Sequence, residues 1–580
     1  MARQIWRVLF LLTLGSFFLL FFVEWNSPGT PIESVPLQGG DYHAALVSEP
    51  LSLDPARATD SISGWCVIQM FDGLVRFQSN QEDSVAPSIA TSWDISADHK
   101  IYTFHLRENV RFHDWVVQEP SEKHAATQNH GRVVTSEDFR FSFERVLRKE
   151  TASPRSVIFE VIEGARAFVN GTADHVLGII TPNPRTLVIR LEKPYKPFLK
   201  TLTMPAAFVV PKEDVETRKG PFPVGPAGTG AFRFGGYRGE RGQPGRELRL
   251  IANDDYFRGR PYINQVVFHI EPNEQKVFKM FLAGELHHST IPDPDYDTLV
   301  EKNLQGFERT PEVSRLGVYY YGMNVERPPF DNILVRQAFA CAVDREAIKK
   351  YIKIDRVDVA DGPLPPSLHR GPSVVDGSGS GESLPVLFNL TRAGKLLDEA
   401  GYTTDAATGL RPGFPQLTLD ISESEENERI ARAVQANFAD LGVVSRVRSR
   451  SMPEHLELVR RGESSIFRLG WIADYEDADS FLYYCFHSRN IGKSNYSRYA
   501  NPKVDRLLDD ARETMNQAAR DEMYRRVEEI LMREAPWICF YYLKTELLRQ
   551  RIVNNLNLST LGEHMISLDK VWFSLPRAVK

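Results

Sequence analysis

Cysteine is scarce in this chain, four residues in 580, and no two of them form a CxxC. That excludes ribbon-type zinc sites and a thioredoxin-like redox centre. Basic tracts are also missing, and the formal charge is a mild −6. With no nucleic-acid-binding motif present, a DNA or RNA partner is excluded. No GxSxG, HExxH or Cys/His arrangement occurs, so no nucleophile–base pair can be assembled and no catalytic residue is assigned. GTGAFRFGG is rich in glycine but lacks GK[ST] and does not open a helix, so it is not a phosphate loop. The string EDAD lacks the ligand spacing of a calcium loop. His287-His288 and the pair His105/His113 have no accompanying carboxylate pattern, so no metal and no cofactor is assigned. The sequon at Asn170 is read as chance. Internal repeats and long low-complexity segments are absent, although VVDGSGSGESLP (Val374 to Pro385) has the composition of a flexible loop.

What is present is a 42% hydrophobic, 25% charged chain, the composition of a soluble globular body. Its length implies about three or four domains. The N-terminus stands apart. Arg3 and Arg7 precede an uncharged run from Val8 to Val23, and counting from Ile5 gives about 19 residues, near the minimum for crossing a bilayer. The arginines place the N-terminus inside and everything after Val23 outside, with Trp25 suited to the outer interface. A cleaved signal peptide is the rival. FFVEWNSPG offers no small-x-small cleavage site and no lipid-accepting cysteine follows, so an uncleaved anchor is expected. Residues 25–40, rich in Pro, Gly and Ser, read as a tether.

Further on, DYHAALVSE, IYTFHLR, RTLVIRLEKP, AFRFGGYRGE, ELRLIAND and INQVVFHIEP read as strands bounded by turn residues. TSEDFRFSFERVL opens with a capping signal at Thr135 or Ser136 and continues at helical period. QKVFKMFLAGEL is a short helix ending at glycine. From about residue 315 to 540 strands alternate with amphipathic helices: ILVRQAFACAVDREAIKKYI, RAGKLLDEAG, NERIARAVQANFADLGV, and KVDRLLDDARETM through to LMREA. Alternation of this kind gives an α/β fold, a sheet covered by helices. Cys341 falls in an apolar helical pattern and is expected to be buried and free. Export would allow two cysteines to pair, but spacing does not say which.

The most informative stretch is RLGWIADYEDADSF, Arg468 to Phe481. IFRLGW reads as a short buried strand, and the acids Asp474, Glu476, Asp477 and Asp479 begin where it should end. Ligands of α/β sheets sit beyond the carboxyl ends of strands. A cation and an anion six residues apart, with Trp471 and Tyr475 nearby, suit a zwitterion. Asp474 would pair an ammonium and Arg468 would grip a carboxylate. A strand followed by a solvated acidic turn, or an internal bridge from Arg468 to Asp474 or Glu476, explains the same residues.

This stretch resembles the GWxADYxDPxxF motif of the family 5 extracytoplasmic solute-binding proteins, the oligopeptide- and dipeptide-binding proteins of peptide ABC transporters. SEPLSLDPA, MFDGLVRF, APSIATSWDISADHKIYTFHLRENVRFHD, VVTSEDFRFSFERVL, GPAGTGAFRF, NDDYFRGRPYINQVVFHI, YYYGMNVERPPFDNILVRQAFACAVDREAI, KLLDEAGY and YANPKVDRLLDDAR follow in the family's order, from about residue 45 to 545. Two departures are Ala478, where the family often has proline, and a polar insertion, Trp115 to Arg132, expected to be a surface loop.

The resemblance implies a periplasmic-binding-protein-like class II fold: two lobes with a hinge plus an extra domain, the first domain being discontinuous. The expected division is 1–24 anchor or signal, 25–40 tether, 41–62, 203–314 and 541–580 lobe I, 63–202 extra domain, and 315–540 the lobe carrying the motif. It implies ligand roles for Asp474, Arg468 and Glu49, the last on the opening strand. Trp471 and Tyr475 would wall a side-chain pocket. Tyr319 to Asn324, including Tyr321 and Asn324, would line the cleft, with its backbone pairing an extended ligand as an added strand. The implied function is capture of short peptides for an ABC importer, with permease subunits as partners. The chain would be a monomer outside the cytoplasmic membrane. A non-peptide solute such as a sugar or metal chelate, or a role as a membrane-anchored sensor, is the alternative.

Overall fold

The computed structural model describes residues 35–78, 84–114, 116–117, 125–126, 130–217, 225–291, 307–352, 357–368 and 387–574. The apolar N-terminal run and the glycine-serine loop at 374–385 lie outside these. Among the described residues no helix is long and apolar enough to cross a membrane.

Three sheets carry the architecture. The first has the order Asp41–Leu46, Gln265–Ile270, Glu247–Ala252, Phe232–Arg238, with the first pair parallel and the others antiparallel. In Asp41–Leu46 every second residue is buried, so Tyr42, Ala44 and Leu46 face one core. Helix Ser61–Met70 packs into that core through Trp65, Cys66, Val67 and Met70. The boundary expected after residue 62 therefore falls inside an element whose apolar face belongs to the first sheet. Residues Leu547, Val553, Leu556, Ile566, Leu568 and Val571 of the tail close the same core.

The opening strand is shorter than expected. Its pairing ends at Leu46 opposite Ile270, and Glu49 lies three residues beyond it. Pro50 follows Glu49 and supplies no N–H to continue a ladder.

The second sheet is antiparallel, Ala90–Ile95, Ile101–Leu106, Thr186–Arg190, Ile179–Asn183. Helix Ser136–Leu147 buries Phe139, Phe143 and Val146 among its side chains. The helix begins where the sequence places it, with the Asp138 carboxylate accepting the Thr135 N–H at 2.8 Å. Part of the insertion forms a two-stranded pairing, Val116–Val117 with Ala125–Ala126.

The third sheet has six strands in the order Val357–Val359, Trp537–Thr545, Val313–Met323, Ile466–Ile472, Leu417–Ser422, Ser445–Arg450. Helices cover both faces. Ile333–Ala342, Leu390–Glu399 and Glu425–Asp440 lie on the face that Tyr319 and Tyr321 enter. Asp479–Phe486, Pro502–Glu513 and Gln517–Glu534 lie on the face of Val318 and Tyr320. The expected single helix from Ile333 to Ile352 is broken into Ile333–Ala342 and Arg345–Ile352. Val343 is extended, and Asp344 caps the second piece by accepting the Ala347 N–H at 2.9 Å.

The chain passes between the first and third sheets twice, side by side. Thr310 N–H donates to the Leu547 carbonyl and Leu547 N–H to the Thr310 hydroxyl, both at 2.9 Å. All four cysteines are free and buried.

Candidate functional site

Strands Leu417–Ser422, Ser445–Arg450 and Ile466–Ile472 run parallel. In open α/β sheets ligands collect outside the carboxyl ends of such strands. The acids follow directly on the end of Ile466–Ile472.

Arg468 stands opposite Tyr321 in the register, and its guanidinium carbon lies 4.1 Å from the centre of the Tyr319 ring. That is close enough for a cation–π contact. Its Nε is buried with no hydrogen-bond partner among the described residues. Neither internal bridge considered for Arg468 forms, because Asp474 and Glu476 are engaged elsewhere. The Arg468 carbonyl accepts from His455 Nε2 at 2.7 Å, which fixes the local backbone.

Each acid of the motif has a partner inside the chain. Both Asp474 oxygens receive N–H groups from Arg155, each at 2.6 Å, and the Asp474 amide donates to Ser480 Oγ at 3.0 Å. Glu476 accepts from the Ser84 hydroxyl. Asp477 is gripped by Arg520 at 2.6 and 2.8 Å and approached by Lys200 at 3.2 Å. Burial alone would raise the Asp477 carboxyl, but Arg520 and Lys200 overcome it and hold the group well below the usual carboxylate range. Asp479 takes Arg512 at 2.8 Å through two nitrogens. The expectation that Asp474 waits for an ammonium therefore meets an occupied carboxylate.

The remaining expected residues are distributed differently. Trp471 is three positions from Arg468 and so projects from the opposite face of the strand. Its indole N–H donates to the Ser480 carbonyl at 2.7 Å. Tyr475 does not wall a pocket: it is 1% exposed, packs into the core of the second sheet, and donates to Asp479 Oδ2 at 2.6 Å. Burial pushes its hydroxyl pKa far up. Tyr321 is fully buried beside Tyr319. Asn324 is a turn-forming residue instead. Its amide donates to the carbonyls of Gly462 and Ser464 at 3.1 and 3.3 Å and accepts the Glu326 N–H at 3.1 Å. Glu49 is paired with Arg246 at 2.6 Å and Arg241 at 3.2 Å.

Strand addition on Val313–Met323 is ruled out by its position. It is central, bonded to Ile466–Ile472 on one side and Trp537–Thr545 on the other, so it offers no open edge there.

Sequence reading missed Arg155, Arg315 and His564. Arg155 belongs to the second unit, Arg315 to the start of Val313–Met323, and His564 to the tail. Arg315 Nε and His564 Nδ1 are buried without hydrogen-bond partners among the described residues, as are Thr560 Oγ1 and Asp60 Oδ2. Burial pushes His564 down to about 4, and the nearby Arg315 and Arg155 add to the shift. No local motif marks these positions; Arg155 and Asp474 are 319 residues apart.

Comparison with known proteins agrees with this architecture. Residues 84–493 match the family model of bacterial extracellular solute-binding proteins, family 5. The chain is 29% identical over 501 residues to the periplasmic murein peptide-binding protein MppA of Escherichia coli, covering 85% of each chain. It is 27% identical over 497 residues to heme-binding protein A of Haemophilus influenzae, covering 84% of each. Among solved structures it is similar to the periplasmic binding protein DppA of Helicobacter pylori in complex with peptide STSA. That match has a TM-score of 0.74 and 25% identity, covering 93% of this chain and 99% of the other. Its fold is accordingly the two-lobed, periplasmic-binding-protein-like α/β fold.

Proposed function

This chain belongs to the family 5 bacterial extracellular solute-binding proteins, and from that premise we propose that it captures short peptides between its lobes and delivers them to an ABC-type importer. It performs no catalytic step. The observation that carries the reading is Arg468: a cation on the third residue of strand Ile466–Ile472, stacked on Tyr319, with a buried Nε that has no partner among the described residues. A buried charge is tolerated when it is paired and hydrogen-bonded, and a ligand carboxylate supplies both. A planar guanidinium grips a carboxylate with two parallel bonds, which fixes direction as well as affinity. Relatives named as murein peptide- and dipeptide-binding proteins support a peptide as the ligand.

The body sits outside the cytoplasmic membrane as a monomer. The uncharged run from Val8 to Val23 tethers it there, and permease subunits of the importer are its partners.

The test is native mass spectrometry of the full chain in nanodiscs, beside Arg468→Met. Bound masses matching short peptides, lost in the variant, support the proposal. A single non-peptide mass, or peptides kept equally by Arg468→Met, overturns it.

A further inference from the structure

The anion of the motif that a ligand's amine would seek is already taken. Arg155 donates to both oxygens of Asp474 at 2.6 Å, and the two side chains are only 26% and 17% exposed. The pair joins the second unit to the third. The Asp474 backbone is fixed as well, its amide donating to Ser480 Oγ at 3.0 Å. Its neighbours Asp477 and Asp479 are held by Arg520 and Arg512, so neither can replace it, and Glu476 accepts from the Ser84 hydroxyl.

An ammonium entering here would have to displace a planar, two-bond guanidinium with a compact group that spreads its donors tetrahedrally. It would also strand Arg155 beside Arg315 and His564. The two charges of the motif are therefore unequal. Asp474 is cancelled by Arg155, whereas Arg468 has no carboxylate partner among the described residues.

We infer that Arg155 is a specificity-determining residue: it closes Asp474 to a ligand's ammonium and offers its remaining N–H groups instead. The bound peptide meets this corner with an acceptor, an amide carbonyl or a carboxylate, and does not need a free amino terminus. This rests on the peptide reading above and narrows it. The ligand class consists of peptides anchored by an acid group, with the amino end free or acylated indifferently.

The experiment offers the full chain in nanodiscs an equimolar tetrapeptide library in two forms, free-amine and N-acetylated. Retained masses are counted for wild type, Arg155→Met, Asp474→Asn and the double variant. Wild type is expected to retain both forms equally, within about threefold. Arg155→Met opens the Asp474 carboxylate and shifts retention toward the free amine by about tenfold, a preference the double variant loses. The inference is overturned if wild type prefers the free amine about tenfold or more and Asp474→Asn erases that preference. The wild-type comparison needs no variant, so poor folding of Arg155→Met leaves it decisive. Retention of neither form beside a single non-peptide mass overturns the peptide reading itself, a distinct result.

Discussion

Arg520 and Asp477 form a buried bidentate pair, 2.6 and 2.8 Å, between helix Gln517–Glu534 and the acidic turn of the motif. Both side chains are at most 3% exposed. Removing one member leaves the other charge in a dry interior, a cost of about 3–5 kcal/mol. Arg520→Met is therefore expected to destabilise by about that amount in denaturant unfolding followed by tryptophan fluorescence, with Asp477→Asn/Arg520→Met recovering part of it. A change under about 1 kcal/mol for the single variant would show the pair to be dispensable.

Four buried histidines are expected to weaken the fold as the solution turns acid. Burial pushes His113, His287, His288 and His564 down to about 4. In the unfolded chain they titrate near about 6.5, so that chain binds more protons in between. This contribution is fully present above about 6.5, is lost as pH falls from about 6.5 to about 4, and changes no further below. Denaturation midpoints measured at several pH values should fall across that window. His288→Gln, which replaces the ring at 2.8 Å from the Tyr42 hydroxyl, should flatten the slope. An equal slope in the variant would assign the acid sensitivity to other groups.

The thiols are predicted to be silent. Burial pushes Cys539 up to about 12 and raises Cys66, Cys341 and Cys485 as well, so thiolate is scarce at neutral pH. A colorimetric thiol assay should read about zero on the native chain and all four after denaturation without reductant. Fewer than four in denaturant would mean that a pair is oxidised.

Gly322 tests the packing of the central strands. A Cβ there would lie 2.5 Å from the Phe467 ring on the paired strand, too close for any real contact. Gly322→Ala is expected to destabilise by about 1–3 kcal/mol, as overpacking does. Phe467→Leu in the same chain should relieve part of it. An unchanged unfolding midpoint for Gly322→Ala would show that the strand pair yields freely.

Local chemistry makes much of the molecule legible in sequence. Alternating burial in Asp41–Leu46, the capping box of Thr135 and Asp138 that opens Ser136–Leu147, and the junction of a strand with an acidic turn after Ile472 are written in residues that touch their sequence neighbours. The blocks that mark the family lie in order along the chain, so membership is readable as well. The tertiary structure alone decided how those residues are used. Arg155 reaches Asp474 from 319 positions away. Val313–Met323 is a central strand and not an edge. Residues three apart on a strand, Arg468 and Trp471, serve opposite faces. A short pattern records what a side chain can bond to; which partner arrives, and from which side, is fixed only when distant segments pack and bring each charge its counter-charge.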